Sequence, residues 1–201
     1  MAYTDFSFDR TEEDLGVSVR VGDLFPGLSP VTPPEWLAAC LRRGEGFALL
    51  SEKARSEFIV APVLLALREL TGDRLSILSG ARLDVDAGRR LMGECDFLLT
   101  FAENVPRVRA PLLAVVEAKR NDIEAGLGQC IAQMVAARLF NEQAKRPTPE
   151  VAGCVTSGNE WQFLRLTGNE VGVHHRRLFI DHVETILAAF LHLLNGAAPA
   201  K

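Results

Sequence analysis

The chain has 201 residues, 48% of them hydrophobic, and a formal net charge of −4 with a pI near 5.6. That length suits one domain with a full core. The acidic balance excludes a protein that coats nucleic acid nonspecifically, because such binding rests on many Lys and Arg facing phosphates, but it allows a catalyst with one local basic groove.

In chain order, the first thirty or so residues carry scattered charge, Gly and Pro without a sustained period and predict an arm or lid. The start, "MAYTDFSFDR", lacks the basic and then apolar run of a secretory signal. "EWLAACLRR" has helical spacing at Trp36, Leu37, Cys40 and Leu41 and is closed by "GEG". Residues 1–50 therefore read as an N-terminal arm and short helix packed on a main unit over 51–201, in a single domain overall. A longer helix is predicted from Ser51, its N-cap, to Leu70. Pro62 lacks the amide hydrogen and clashes with the preceding turn, so that helix is expected to kink or split.

"LSILSGARLDVD" and "ECDFLLTF" are β-rich and joined by "AGRRLMG", which predicts a hairpin. After the loop "ENVPRVRAP", "LLAVVEAK" is a short apolar run ending in charge, the pattern of a central strand. Helical period returns from about Asp122 to Asn141. Strands follow at "VAGCVTSG" and "WQFLRL", with a further one at "GVHHRRLFI". The last helix is predicted from about Asp181 to Leu194, with Asp181 and Glu184 at capping-box spacing and Gly196 as its C-cap. This mixed order predicts an α/β or α+β domain around a mostly buried sheet. No stretch reaches the ~18 apolar residues of a membrane span, so a soluble, cytoplasmic protein is expected. Cys40, Cys95, Cys130 and Cys154 lie far apart with no C-x-x-C pair and read as reduced core thiols.

The charged end of "LLAVVEAK" needs a reason. Side chains alternate along a strand, so Glu117 and Lys119 project to one face. A buried charge is costly unless it is paired or bound to metal, so this strand end opens on a cleft or holds a compensated ion pair. Asp96, in "GECDFLL", belongs to the preceding strand. If the two strands are neighbours, Asp96 approaches Glu117, and two carboxylates together call for an oxygen-preferring divalent cation such as Mg²⁺ or Mn²⁺.

An acidic residue on one strand, Glu-x-Lys on the next and a helix after it resemble the PD-(D/E)XK nuclease superfamily. "GECDFLL" and "AVVEAKR" carry the resemblance, with Glu57 in "SEFIVAPVL" on the preceding helix and Gln129 in "GLGQCIAQM" on the following one. The resemblance implies an α/β, restriction-endonuclease-like αβββαβ core, a central mixed sheet flanked by helices. It also implies Mg²⁺- or Mn²⁺-dependent hydrolysis of nucleic acid, DNA above all. Asp96 and Glu117 would then be metal ligands together with the backbone carbonyl of Ala118, and Glu57 an outer or second-metal ligand. Lys119 would orient or activate the attacking water, and Gln129 would contact substrate or position the lysine. Because relatives often pair two sites to cut two strands, a homodimer is implied as well. Two positions depart from the pattern: Cys95 stands where a proline would precede the first carboxylate, and Gln133 where many exonuclease-like relatives carry Tyr.

Arg89 and Arg90 in the hairpin connection, Arg107 and Arg109 in the next loop, and Arg120 are candidate phosphate contacts that matter only if they cluster around one cleft. Asp84 and Asp86 read as turn residues. His174 and His175, adjacent on a strand, are expected to point to opposite faces and so not to share a metal easily. Trp161 and Phe163 read as packing and not as base-stacking platforms. Two other functions suit the same residues: a non-catalytic binding or assembly module that keeps the nuclease fold, and an enzyme acting on a small phosphorylated substrate in a narrow pocket.

Overall fold

A computed structural model describes residues 3–45, 51–103, 107–119 and 122–198. One mixed sheet runs in the order β1 (Ser18–Gly22), β7 (Glu170–His174), β6 (Glu160–Thr167), β5 (Val151–Thr156), β4 (Leu112–Ala118), β3 (Glu94–Thr100) and β2 (Ser76–Arg82), with β8 (Leu178–Phe179) paired to β6. β1 with β7 and β4 with β5 are parallel, and the remaining pairs are antiparallel. β4 is buried at every position, which is why it reads as an unbroken apolar run until its last turn of charge.

Helices cover both faces. On one side α2 (Glu35–Glu45), α4 (Ala61–Leu70) and α6 (Val183–Ala197) bring Leu37, Val63, Leu67 and Phe190 against Phe97, Val116, Cys154, Trp161 and Phe163. Trp161 and Phe163 are core residues there, the Phe163 and Phe190 rings meeting edge to face at 4.9 Å. On the other side α5 (Ile123–Gln143), capped by Asp122 accepting the Ala125 N–H at 3.0 Å, lays Cys130, Ile131, Met134 and Val135 on Leu98, Val115, Val155 and Leu164. The three buried cysteines and the half-buried Cys40 are all free thiols.

The helix predicted from Ser51 forms in pieces. Ser51 Oγ accepts the Ala54 N–H at 3.0 Å, and α3 (Glu52–Arg55) passes through a π-helical stretch, Ser56–Val60, into α4. Pro62 occupies the first turn of α4. A wider turn on its N-terminal side accommodates both the missing N–H and the ring, so the irregularity lies before the proline.

Two expectations are corrected. Residues 3–22 are no arm or lid: they build β1 at the sheet edge, two 3₁₀ turns (Tyr3–Asp5 and Phe8–Arg10) and α1 (Thr11–Leu15), which lie on α5. Tyr3 and Phe6 are buried, and the Tyr3 hydroxyl donates to the Leu83 carbonyl at 2.6 Å. Gly128 of α5 permits that contact, since a Cβ there would run into the main chain from Phe6 to Phe8. At the other end, α6 starts after a 3₁₀ turn (Ile180–His182) with no side-chain cap, because Asp181 is taken into that turn. Gly196 lies inside the helix, packed against the Glu150 carboxylate, and does not end it. No helix among the described residues is long and apolar enough to cross a membrane.

Candidate active site

The last β3–β4 backbone pair is Phe97 with Val116. β4 continues past it, and the Ala118 N–H donates instead to Asp96 Oδ2 at 2.7 Å. Extending the same register sets Asp96 opposite Glu117, and opposite residues of an antiparallel pair present side chains to one face. Regular strand geometry aims the Ala118 carbonyl to the same side as its N–H.

Glu117 is only 3% exposed, and both of its oxygens are engaged. Oε1 accepts from Lys119 Nζ at 2.8 Å and from Gln129 Nε2 at 2.6 Å, while Oε2 accepts from Gln133 Nε2 at 2.9 Å. Lys119 Nζ also donates to Gln129 Oε1 at 2.9 Å, closing a triangle of three side chains. Gln129 and Gln133 are one helical turn apart on α5, so both reach the carboxylate from the same helix face. Gly126 brings that face close enough: a Cβ there would lie 2.6 Å from Val155 Cγ1 and 3.0 Å from Lys119 Cγ. Gln133 Oε1, fully buried, has no hydrogen-bond partner among the described residues.

The charges are strongly coupled. Burial, then the Asp96 charge, push Glu117 up to about 7 against the pull of Lys119 and Gln133. Burial also raises Asp96, opposed by the Ala118 N–H, Lys119 and a hydrogen bond with Glu117. Burial works against the Lys119 ammonium, but Glu117, Glu52 and Asp96 outweigh it and hold its pKa above the ordinary lysine value.

The structure thus brings Asp96, Glu117, Ala118, Lys119 and Gln129 together and leaves other predicted residues out. Glu57 has an exposed carboxylate 3.9 Å from Lys53 Nζ and lines a separate cavity with Trp36, Phe58 and Pro62. The helix carboxylate whose charge acts on both Asp96 and Lys119 is Glu52. Glu52 belongs to α3 and Glu57 to the π-helical stretch that follows, whose wider turn changes the direction of the side chains. Arg89 donates to the Leu15 carbonyl at 3.1 Å, and Arg90 pairs with Asp14 at 3.4 Å over the Phe6 ring, so both fasten the N-terminal segment. Arg107 and Arg109 belong to the β3–β4 connection, at the far end of the seven-residue β4, about 20 Å away at the usual rise. Arg109 pairs there with Glu103 at 3.5 Å. These four arginines do not form one basic cleft, and Arg120 lies outside the described residues. Asp84 accepts the Gly93 N–H and Asp86 the Arg89 N–H, the turn roles read for them.

Sequence reasoning missed Gln133 as a member of the cluster and Glu52 as a charge acting on it. Glu52 looks like a first-turn carboxylate favouring the helix dipole, and Gln133 like a polar residue at a helix–sheet seam; only the fold brings Gln133 to Glu117 and the Glu52 charge to bear on Asp96 and Lys119.

Among known proteins, no family model and no curated sequence matches the chain.

The donor set fits a hard divalent cation. Two adjacent carboxylates, with the Glu52 charge acting on Asp96, and one ammonium leave an excess of negative charge, the donors are oxygens, and Gln133 Oε1 is an orphaned acceptor beside them.

Proposed function

We propose that the chain is a metal-dependent nuclease that hydrolyses phosphodiester bonds of nucleic acid, DNA above all. The observation that carries this reading is the single hydrogen-bonded cluster of Asp96, Glu117, Lys119 and Gln129 at the end of a central strand. The succession α4, β2, β3, β4, α5, β5 supports it, since it repeats the αβββαβ order of the PD-(D/E)XK core.

In this reading Asp96 and Glu117 would hold Mg²⁺ or Mn²⁺, with the Ala118 carbonyl at hand and the Glu52 charge adding to the attraction. Such an ion polarises a phosphate oxygen and acidifies a bound water. Lys119, kept protonated by its carboxylate neighbours, serves as a fixed positive charge toward the phosphate and not as a base. Gln129 holds Nζ in place through its Oε1. Cutting both strands of a duplex would take two such sites, so a homodimer belongs to the same proposal.

The test is a cleavage panel on single-stranded, duplex and branched DNA and on RNA, with Mg²⁺ or Mn²⁺, run beside Lys119→Ala and Glu117→Gln. Circular dichroism establishes that the variants fold. Cleavage by the parent chain that both substitutions abolish is the expected result; a parent chain that cuts none of these substrates overturns it.

The scatter of the predicted arginines favours a second reading, a binding or assembly module that keeps the fold without catalysis. There the carboxylates take no metal, and calorimetry with Mn²⁺ gives no heat.

A further inference from the structure

We propose that Asp23, His174 and His175 form a second metal site, built for a transition-metal ion such as Zn²⁺ and distinct from the carboxylate cluster. One ligand atom from each residue lies within 4.8 Å of the others, the sole such group of three or more His, Cys, Asp or Glu among the described residues. All three line one open cavity of about 300 Å³ together with Phe25, Leu28 and Thr185.

The sheet dictates this meeting. β1 and β7 are parallel with Gly22 opposite His174, so the residues that follow them, Asp23 and His175, leave the sheet side by side. The His175 N–H donates to the Gly22 carbonyl at 2.9 Å and holds the two exits together. His175 lies one residue beyond β7, where strand alternation has ended, and its ring comes to 4.8 Å from the His174 ring. The expectation that the two histidines point to opposite faces is thereby corrected.

The three groups are held before any ion arrives. Asp23 Oδ1 accepts the Phe25 N–H at 2.9 Å and stands 3.7 Å from His174 Nδ1. The buried His174 ring packs on Phe25 at 4.7 Å, and its backbone carbonyl accepts from Gln162 at 2.6 Å. His174 Nδ1 takes the Leu24 N–H at 3.2 Å, a long contact that coordination through this nitrogen would replace. Two imidazoles and one carboxylate suit a borderline ion with water in its remaining positions, whereas the oxygen set around Asp96 suits Mg²⁺. Arg176, also lining the cavity, opposes the cation, and the Asp23 carboxylate offsets it.

This site lies at the same end of the sheet as Glu117 and Lys119, since β7 runs parallel to β4. Three strand spacings separate them, about 14 Å, too far for a joint two-metal centre. The proposal therefore stands apart from the nuclease reading.

Titration of the untagged chain with Zn²⁺ by calorimetry tests it, with Co²⁺ absorption reporting imidazole ligation. His175 and Asp23 are exposed, and Asn at 23 keeps the acceptor for the Phe25 N–H, so His175→Ala and Asp23→Asn are expected to fold. Both should bind Zn²⁺ at least about tenfold more weakly, since losing even an outer partner costs that much. Titrating all chains in the Glu117→Gln background keeps any ion held by the carboxylate cluster out of the comparison. A parent chain that binds no Zn²⁺, or a His175→Ala chain that binds it equally well through His182 or His192, overturns the proposal.

Discussion

Asp96 and Glu117 stand side by side at the end of the β3–β4 pair, close enough that the Asp96 charge helps to push Glu117 up to about 7. The folded pair therefore keeps a proton that the unfolded chain, with Glu near 4.5, has released. A carboxyl raised on folding stabilises the fold below its unfolded pKa, and that contribution is lost as pH rises through the folded value. Stability should fall between about pH 4.5 and 7, by up to about 3 kcal/mol. His174, lowered by burial and then by His175 and Arg176, slopes the opposite way below its ordinary 6.5. Urea unfolding of the parent and of Glu117→Gln cancels the histidine in the difference. The parent is expected to lose more stability from pH 5 to pH 8 than the variant, and parallel curves would falsify this origin for the slope.

The divalent cation of the proposed function would act on the same pair. An ion bound between Asp96 and Glu117 favours both in ionised form, so Mn²⁺ affinity should climb as pH passes about 7. At 100 times its dissociation constant the ion should add about 2.7 kcal/mol to stability. Glu52→Gln should weaken Mn²⁺ by about 1 kcal/mol, roughly fivefold, through its charge alone, and Glu57→Gln should leave it unchanged. Calorimetry at pH 8 ranks the two, and the reverse ranking would return Glu57 to the site.

Close approach of α5 to the sheet is a third point of attack. Gly126→Ala sets a methyl group against Val155 and Lys119, so the first turns of α5 must move outward or Lys119 must shift. The expected cost is about 1–3 kcal/mol of stability, as for other overpacked sites. Under the nuclease proposal, metal-dependent cleavage should fall by more than the loss of folded protein accounts for, because Gln129 holds Lys119 from this helix. A variant that is destabilised yet fully active would separate the helix approach from the site.

Much of the sheet was legible because its signals are local. β4 announces itself by five apolar or small positions, Leu112 to Val116, closed by Glu117 and Lys119, and α5 by an Asp122 cap and helical period. The N-terminal segment was not legible: its elements are three to five residues long and its fit depends on Gly128 and Leu83, far away in sequence. The Asp96–Glu117–Lys119 grouping followed from strand alternation plus one assumed neighbour. Choosing between Glu52 and Glu57 required the rotation of a helix that a π-helical stretch interrupts, which no spacing rule supplies. The meeting of Asp23 with His175 likewise depends on the β1–β7 register, a pairing of segments about 150 residues apart.

Gln133 offers the most direct probe of how the helix tunes the carboxyl pair. Its Nε2 donates to Glu117 Oε2 at 2.9 Å and favours the charged form, while its own Oε1 is buried without a partner. Gln133→Leu removes both the donor and the orphaned acceptor with little change of volume. Stability should hold within about 1 kcal/mol, since one lost hydrogen bond is offset by one fewer unsatisfied group. The Glu117 carboxyl, deprived of a donor to its ionised form, should titrate above about 7, and carboxyl ¹³C chemical shifts followed against pH read this directly. An unmoved midpoint would mean that Gln133 only fills space between α5 and the sheet, leaving Gln129 and Lys119 to set the charge of Glu117.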